Sequence, residues 1–235
     1  MDRKSLFEVQ PRLMTIDGPD GSGKSTISKL VLTELEPFWD TVVLRPACFT
    51  TSLRAQEIGR RFRGLSSDVS KKSQLHNSFF LEAMEANYDF IGGQLLDKRR
   101  VVVCDSSEIR ALAFMFDNGS EAAILDTKNR IEKGLLTNGT QAGVRIILDA
   151  SASDLWKNLN SKPVLDYGDP QNIIEVDKRR TAYRESIEFL RQCDLLSGQC
   201  IRIVIRHAKN IQEYIEQLVQ HELLPEIRKN LQQCH

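Results

Sequence analysis

Residues 15–26 read TIDGPDGSGKST, and residues 18–25 match G-x-x-x-x-G-K-[ST] at every fixed position. An apolar run at 13–16 precedes the match and a helical pattern at 26–35 follows it. That strand-to-helix setting is what a phosphate-binding loop requires. Gly18, Gly21 and Gly23 allow backbone conformations closed to other residues. Successive N–H groups, including that of Ser22, then converge on an anion, and the positive end of the following helix adds to them. Lys24 is expected to reach the β- and γ-phosphates, and Ser25 to offer its hydroxyl to Mg²⁺. Thr26 is placed near the α-phosphate. ATP with Mg²⁺ is the expected ligand.

Outward from the loop, apolar runs recur at 42–44, 101–104, 144–148 and 201–205. They are continuous rather than alternating, as in strands buried on both faces. Helical patterns separate them at 73–96, 121–136, 154–159 and 173–190, with a last one holding Ile211, Ile215, Leu218 and Leu223. In the long pattern Leu75, Phe79, Met84, Tyr88, Ile91 and Leu95 share a face, and Gly92-Gly93 weaken it. The alternation predicts an α/β fold: three αβα layers around a five-stranded parallel sheet, in one domain over 1–235. Residues 161–172 carry two prolines and a glycine between helical patterns, which suits a short lid or a plain surface loop.

The chain has 235 residues, 41% hydrophobic and 27% charged, with 32 basic and 32 acidic side chains. The zero net charge argues against a nucleic-acid partner and for a small-molecule one. Five cysteines (Cys48, Cys104, Cys193, Cys200 and Cys234) form no CxxC pair, which implies reduced thiols rather than a disulfide framework. MDRKSLFEVQ has no signal-peptide character, and no run is long and apolar enough to span a membrane. A cytoplasmic location, away from membranes, is the expectation.

VVVCD ends in Asp105 at the carboxyl end of an expected strand. An acid there orients Mg²⁺ in P-loop proteins, although it also suits capping the next helix beside Ser106 and Ser107. Asp149, which ends VRIILD, competes for the metal role or caps the helix behind it.

TIDGPDGSGKST also resembles the start of a thymidylate kinase, with Asp17-Gly18, Asp20 in the loop, and Gly23-Lys24-Ser25-Thr26. The resemblance continues less specifically along most of the chain. It implies γ-phosphoryl transfer from ATP to a nucleoside monophosphate, dTMP first, and a homodimer. The last helix would offer a dimer surface or cover the sheet. Asp20 matches the loop acid that contacts the acceptor sugar, Arg45 the arginine that grips the acceptor phosphate, and Phe80 the aromatic that stacks on the base. From pattern alone Phe80 also reads as core. Arg180 and Tyr183 resemble the pair on the helix after the lid.

The departures bear on the acceptor. Ser106 stands where the family has Arg after the strand acid, and Arg110 lies one helical turn onward, placed to reach the same phosphate. Pro46-Ala47-Cys48 replaces acid-proline-glycine. Met84 and Met115 stand at base-reading positions. The P-loop carries no catalytic arginine, the lid offers only Lys157 and Lys162, and Arg179 or Arg180 is left for that role. The alternatives are a P-loop kinase for another acceptor, such as a deoxynucleoside, or a nucleotide-binding regulator with little turnover.

Overall fold

The computed structural model describes residues 7–46, 48–64, 74–118, 121–161, 170–196, 198–206, 208 and 211–232. Five strands form one parallel sheet: β1 (Glu8–Asp17), β2 (Asp40–Leu44), β3 (Arg100–Asp105), β4 (Thr140–Asp149) and β5 (Gln199–Val204). Their order is β2-β3-β1-β4-β5. β1 is central: Met14 lies between Val103 of β3 and Val144 of β4. The loop after β1 therefore emerges at the carboxyl edge between two strands, where open α/β sheets bind ligands.

All five expected strands are present, and β1 and β4 are longer than their apolar runs. Glu8, Val9 and Gln10 pair with Thr140, Gln141 and Ala142 before the register shifts at Pro11. A proline removes a ladder donor, so the irregularity sits where pairing could not continue. Gly143 meets it, since a Cβ there would lie 2.5 Å from the Cα of Pro11.

Helices cover both faces. Met14, Ile16, Val101, Val103, Val144, Ile146 and Leu148 turn to one face, packed by α1 (Lys24–Leu35), α6 (Ala152–Asn160), α8 (Ile211–Leu218), a π-helical segment (Val219–Leu223) and α9 (Leu224–Gln232). Ile215, Leu218 and Leu223 are buried there, so this stripe covers the sheet. Leu13, Val102, Cys104 and Ala142 turn to the other face, under α3 (Gln74–Leu95), α4 (Glu108–Asn118), α5 (Glu121–Glu132) and α7 (Ile173–Gln192). α2 (Leu53–Arg63) packs on α3 through Phe62 and Phe79. α3 runs unbroken through Gly92 and Gly93, whereas Leu75 on its expected apolar face is exposed.

Cys48, Cys104, Cys193 and Cys200 are free thiols; Cys234 lies outside the described residues. Among the described residues no helix is long and apolar enough to cross a membrane. Most of the expected lid, residues 162–169 with Lys162, also lies outside them.

Candidate active site

The loop from Gly18 to Gly23 joins β1 to α1 and is shaped by close approach. Gly21 has φ 84°, and a Cβ there would lie 2.6 Å from the Leu155 carbonyl oxygen of α6. Asn158 of α6 donates to the Gly21 carbonyl at 3.1 Å. Gly23, also at φ 84°, caps α1 with no side-chain cap and no acid in the first turn. The first N–H groups of α1 thus lack intrahelical acceptors and are open to an anion. Ser22 Oγ is buried and, among the described residues, has no hydrogen-bond partner. The Lys24 ammonium donates to the Gly18 carbonyl at 2.7 Å and the Pro19 carbonyl at 3.0 Å. Burial lowers its pKa, opposed first by Asp20.

The strand acid meets the loop hydroxyl. Ser25 Oγ donates to Asp105 Oδ2 at 2.8 Å, and Arg45 Nε lies 3.3 Å from the same oxygen. This pair fits Mg²⁺, a hard cation that takes one or two protein oxygens and completes its shell with phosphate and water. Among the described residues no cluster of three or more metal-ligating His, Cys, Asp or Glu side chains competes with it. Thr26 is exposed on the first turn of α1.

Asp20 lies 3.8 Å from Lys24 and accepts from Arg179 Nη1 at 2.8 Å. Burial would raise its pKa, yet Lys24, Arg110 and Arg179 outweigh burial and hold the carboxyl well below the usual range. Arg179 also pairs with Asp117 of α4 at 3.4 Å. Arg110 Nη1 donates to Ser106 Oγ at 3.5 Å. Despite burial, Tyr183, Asp20, Asp105 and Asp17 raise the Arg110 pKa. Around Lys24 the site therefore holds Asp20 and Asp105 with Arg45, Arg110 and Arg179.

Two features of this region had no strong sequence signal. Asp17 is fully buried and accepts from the Ser107 N–H at 2.8 Å and the Ser107 hydroxyl at 2.7 Å. Burial pushes its pKa to about 6. The turn it holds contains Ser106 at φ 91°, an unfavourable conformation for a residue with a Cβ. Behind it lies a buried network: Arg145 of β4 pairs with Glu108 of α4 at 2.7 Å, and Tyr88 of α3 donates to Glu108 at 3.0 Å. The sequence hints were an arginine inside an apolar strand and an acid one residue past the Ser106-Ser107 pair.

On the expected acceptor side, Arg45 is 61% exposed at the end of β2. Its loop is tied to α3 by buried Asn87, which donates to the Pro46 and Cys48 carbonyls and accepts from the Ser52 N–H and hydroxyl. Phe80 is only 9% exposed and packs on Phe114, with ring centroids 5.3 Å apart. Met84 and Met115 are 0% exposed. These three side chains sit in the core beneath α3 and α4.

Asp149 caps no helix. Ser151 caps α6 by accepting from the Asp154 N–H, and Asp149 accepts from Arg180, Arg184 and Arg202. Arg180, expected as the catalytic arginine, thus points to β4, while its neighbour Arg179 meets the phosphate loop.

No protein-family model matches the chain, and no curated protein matches it in sequence. Among solved structures it is similar to the thymidylate kinase from Ehrlichia chaffeensis, with a TM-score of 0.57 and 15% identity over 88% of this chain and 96% of that one. At that identity the likeness shows the fold, a five-stranded parallel sheet with helices on both sides as in P-loop kinases.

Proposed function

We propose that the chain is a Mg-ATP-dependent kinase that transfers the γ-phosphoryl group to a nucleoside monophosphate, with dTMP the first acceptor to test. The observation that carries the reading is the 2.8 Å contact between Ser25 and Asp105 beside Lys24, at the mouth of a glycine loop. The fold shared with a thymidylate kinase supports it. When bound, Mg²⁺ would offset charge on the phosphates, and Ser25 and Asp105 would hold it, directly or through water. Lys24 leaves the Gly18 and Pro19 carbonyls for phosphate oxygens, and the α1 N-terminus and Ser22 complete the cradle. Arg45 and Arg110 orient the acceptor phosphate, and Asp20 its sugar. Arg179, which already reaches the loop acid Asp20, supplies the cation over the transferring group. Catalysis rests on positioning and charge rather than covalent chemistry.

A second reading keeps the chemistry and changes the acceptor. Phe80, Met84 and Met115 are packed in the core, so they offer a base neither a stacking face nor a polar edge. Purified protein with Mg-ATP is incubated with nucleosides and nucleoside monophosphates while ADP release is followed, with Lys24→Ala alongside. Release stimulated by dTMP and lost in the variant supports the first reading. Release stimulated by another acceptor supports the second. ATP binding with no stimulated release sinks both and leaves a nucleotide-binding regulator.

A further inference from the structure

The arginine cluster around Asp149 has no role in the reading above. Arg184 Nη2 and Arg202 Nη2 reach the same oxygen, Asp149 Oδ2, at 2.9 and 3.0 Å. Arg180 Nε reaches Oδ1 at 3.3 Å, and the Ala150 N–H donates to that oxygen at 2.9 Å. One carboxylate thus gathers three guanidinium groups, two from α7 and one from β5. A tie between these elements needs only one, and two like charges on a single oxygen repel each other.

These side chains line a cleft of about 370 Å³ that begins at Pro19 of the phosphate loop and runs along α7 past Ile187 to Arg191. Arg191 adds a fourth cation. The other acid in the lining, Glu188, already accepts from Gln192 Nε2 at 3.1 Å. Arg184 and Arg202 are 48% and 53% exposed, so donors beyond those spent on Asp149 are open to solvent. The volume falls in the range of small-molecule sites. Paired planar guanidinium groups match the several oxygens of a phosphoryl group, which they bind in bidentate fashion. The lining also supplies apolar surface from Pro19, Ile147 and Ile187.

We propose that this cleft, which borders the phosphate loop at Pro19 but is distinct from the cradle of Lys24 and the α1 N-terminus, is a second anion site that takes the phosphate group of a small phosphorylated molecule. It lies on the α7 face of β4 and β5, whereas the loop opens toward Ser25 and Asp105. An occupant bridges Arg184 and Arg202 over Asp149, with Arg191 at the far end.

Titration calorimetry with inorganic pyrophosphate tests the site on wild type, Lys24→Ala, Arg184→Gln/Arg202→Gln and Arg191→Gln proteins. The expected result is a pyrophosphate site that survives in Lys24→Ala, distinct from any binding at the phosphate loop that this variant weakens, and for pyrophosphate the arginine variants are read in that background. The double variant weakens it about tenfold or more, since two charge-assisted contacts are lost. Arg191→Gln, exposed and outside the bonds to Asp149, weakens it without touching the tie between α7 and β5. Mg-ADP affinity stays at the wild-type value in the double variant, which reports the phosphate loop independently. Pyrophosphate binding that vanishes in Lys24→Ala, that persists undiminished in both arginine variants, or that is undetectable in wild type overturns the proposal.

Discussion

Ser25 and Asp105 lie 80 positions apart and meet at 2.8 Å, and each half of that contact carries its own sequence mark. Ser25 follows the lysine at a fixed position of the glycine-loop motif, and Asp105 ends an apolar run. Replacing Asp105 by Asn keeps the shape and removes the charge that holds Mg²⁺. It should cut kcat/KM on the order of 10²-fold, partly recovered at high Mg²⁺, as read in a Mg²⁺ titration of ADP release. Gly21 is legible as a loop glycine, but the reason for it is not, because the carbonyl that excludes a side chain belongs to Leu155. Gly21→Ala should weaken Mg-ADP binding about tenfold through backbone strain and that clash, measured by calorimetry. Asp17 was legible as a strand end and as half of the Asp17-Gly18 pair, but not as the buried acid that holds the Ser107 turn. The folded chain holds its proton up to about pH 6, against 3.8 ordinarily, so the folded state binds more protons across that window. Its contribution therefore lowers stability as pH rises from about 4 to about 6. Asp17→Asn should remove a slope worth up to about 3 kcal/mol, seen as a difference in urea midpoints between pH 4.5 and pH 7. An equal pH profile in the two proteins contradicts the assignment.

At the scale of elements, continuous apolar runs gave the strands because both sheet faces are covered. α2 was not legible, since LRAQEIGRRFR is dominated by polar residues and buries only Ala55, Ile58 and Gly59. Its start is set by Ser52, whose hydroxyl accepts from the Ala55 N–H and donates to Asn87. Asn87 looks ordinary in a helix, and its partners lie 35 to 41 residues away. Asn87→Ala should cost about 2–4 kcal/mol, because several buried polar groups lose their partner at once. It should also raise the acceptor KM through the loop that carries Arg45. The buried Arg145–Glu108 pair joins β4 to α4 in the same hidden way. Glu108→Ala leaves Arg145 buried without its carboxylate and should destabilise the chain by about 3–5 kcal/mol in urea unfolding. A cost below 1 kcal/mol would show that the pair does not hold α4.

For the molecule as a whole, the strand order could not be read from the sequence, because any order of five parallel strands gives the same apolar runs. That order places β1 between β3 and β4 and so brings Asp105 to the phosphate loop. It also sends the two neighbouring arginines of α7 to different places, Arg179 to Asp20 and Arg180 to Asp149. The acceptor side was the least legible. Phe80, Met84 and Met115 read equally well as pocket or core, and tertiary packing put them in the core. Phosphoryl transfer between nucleotides at the Ser25–Asp105 site is checked by ³¹P NMR of the protein with Mg-ATP and one nucleoside monophosphate at a time. For at least one acceptor, ADP and a nucleoside diphosphate should appear in equal amounts, and Lys24→Ala should abolish both. ATP that binds yet yields no diphosphate with any monophosphate rules the transfer out.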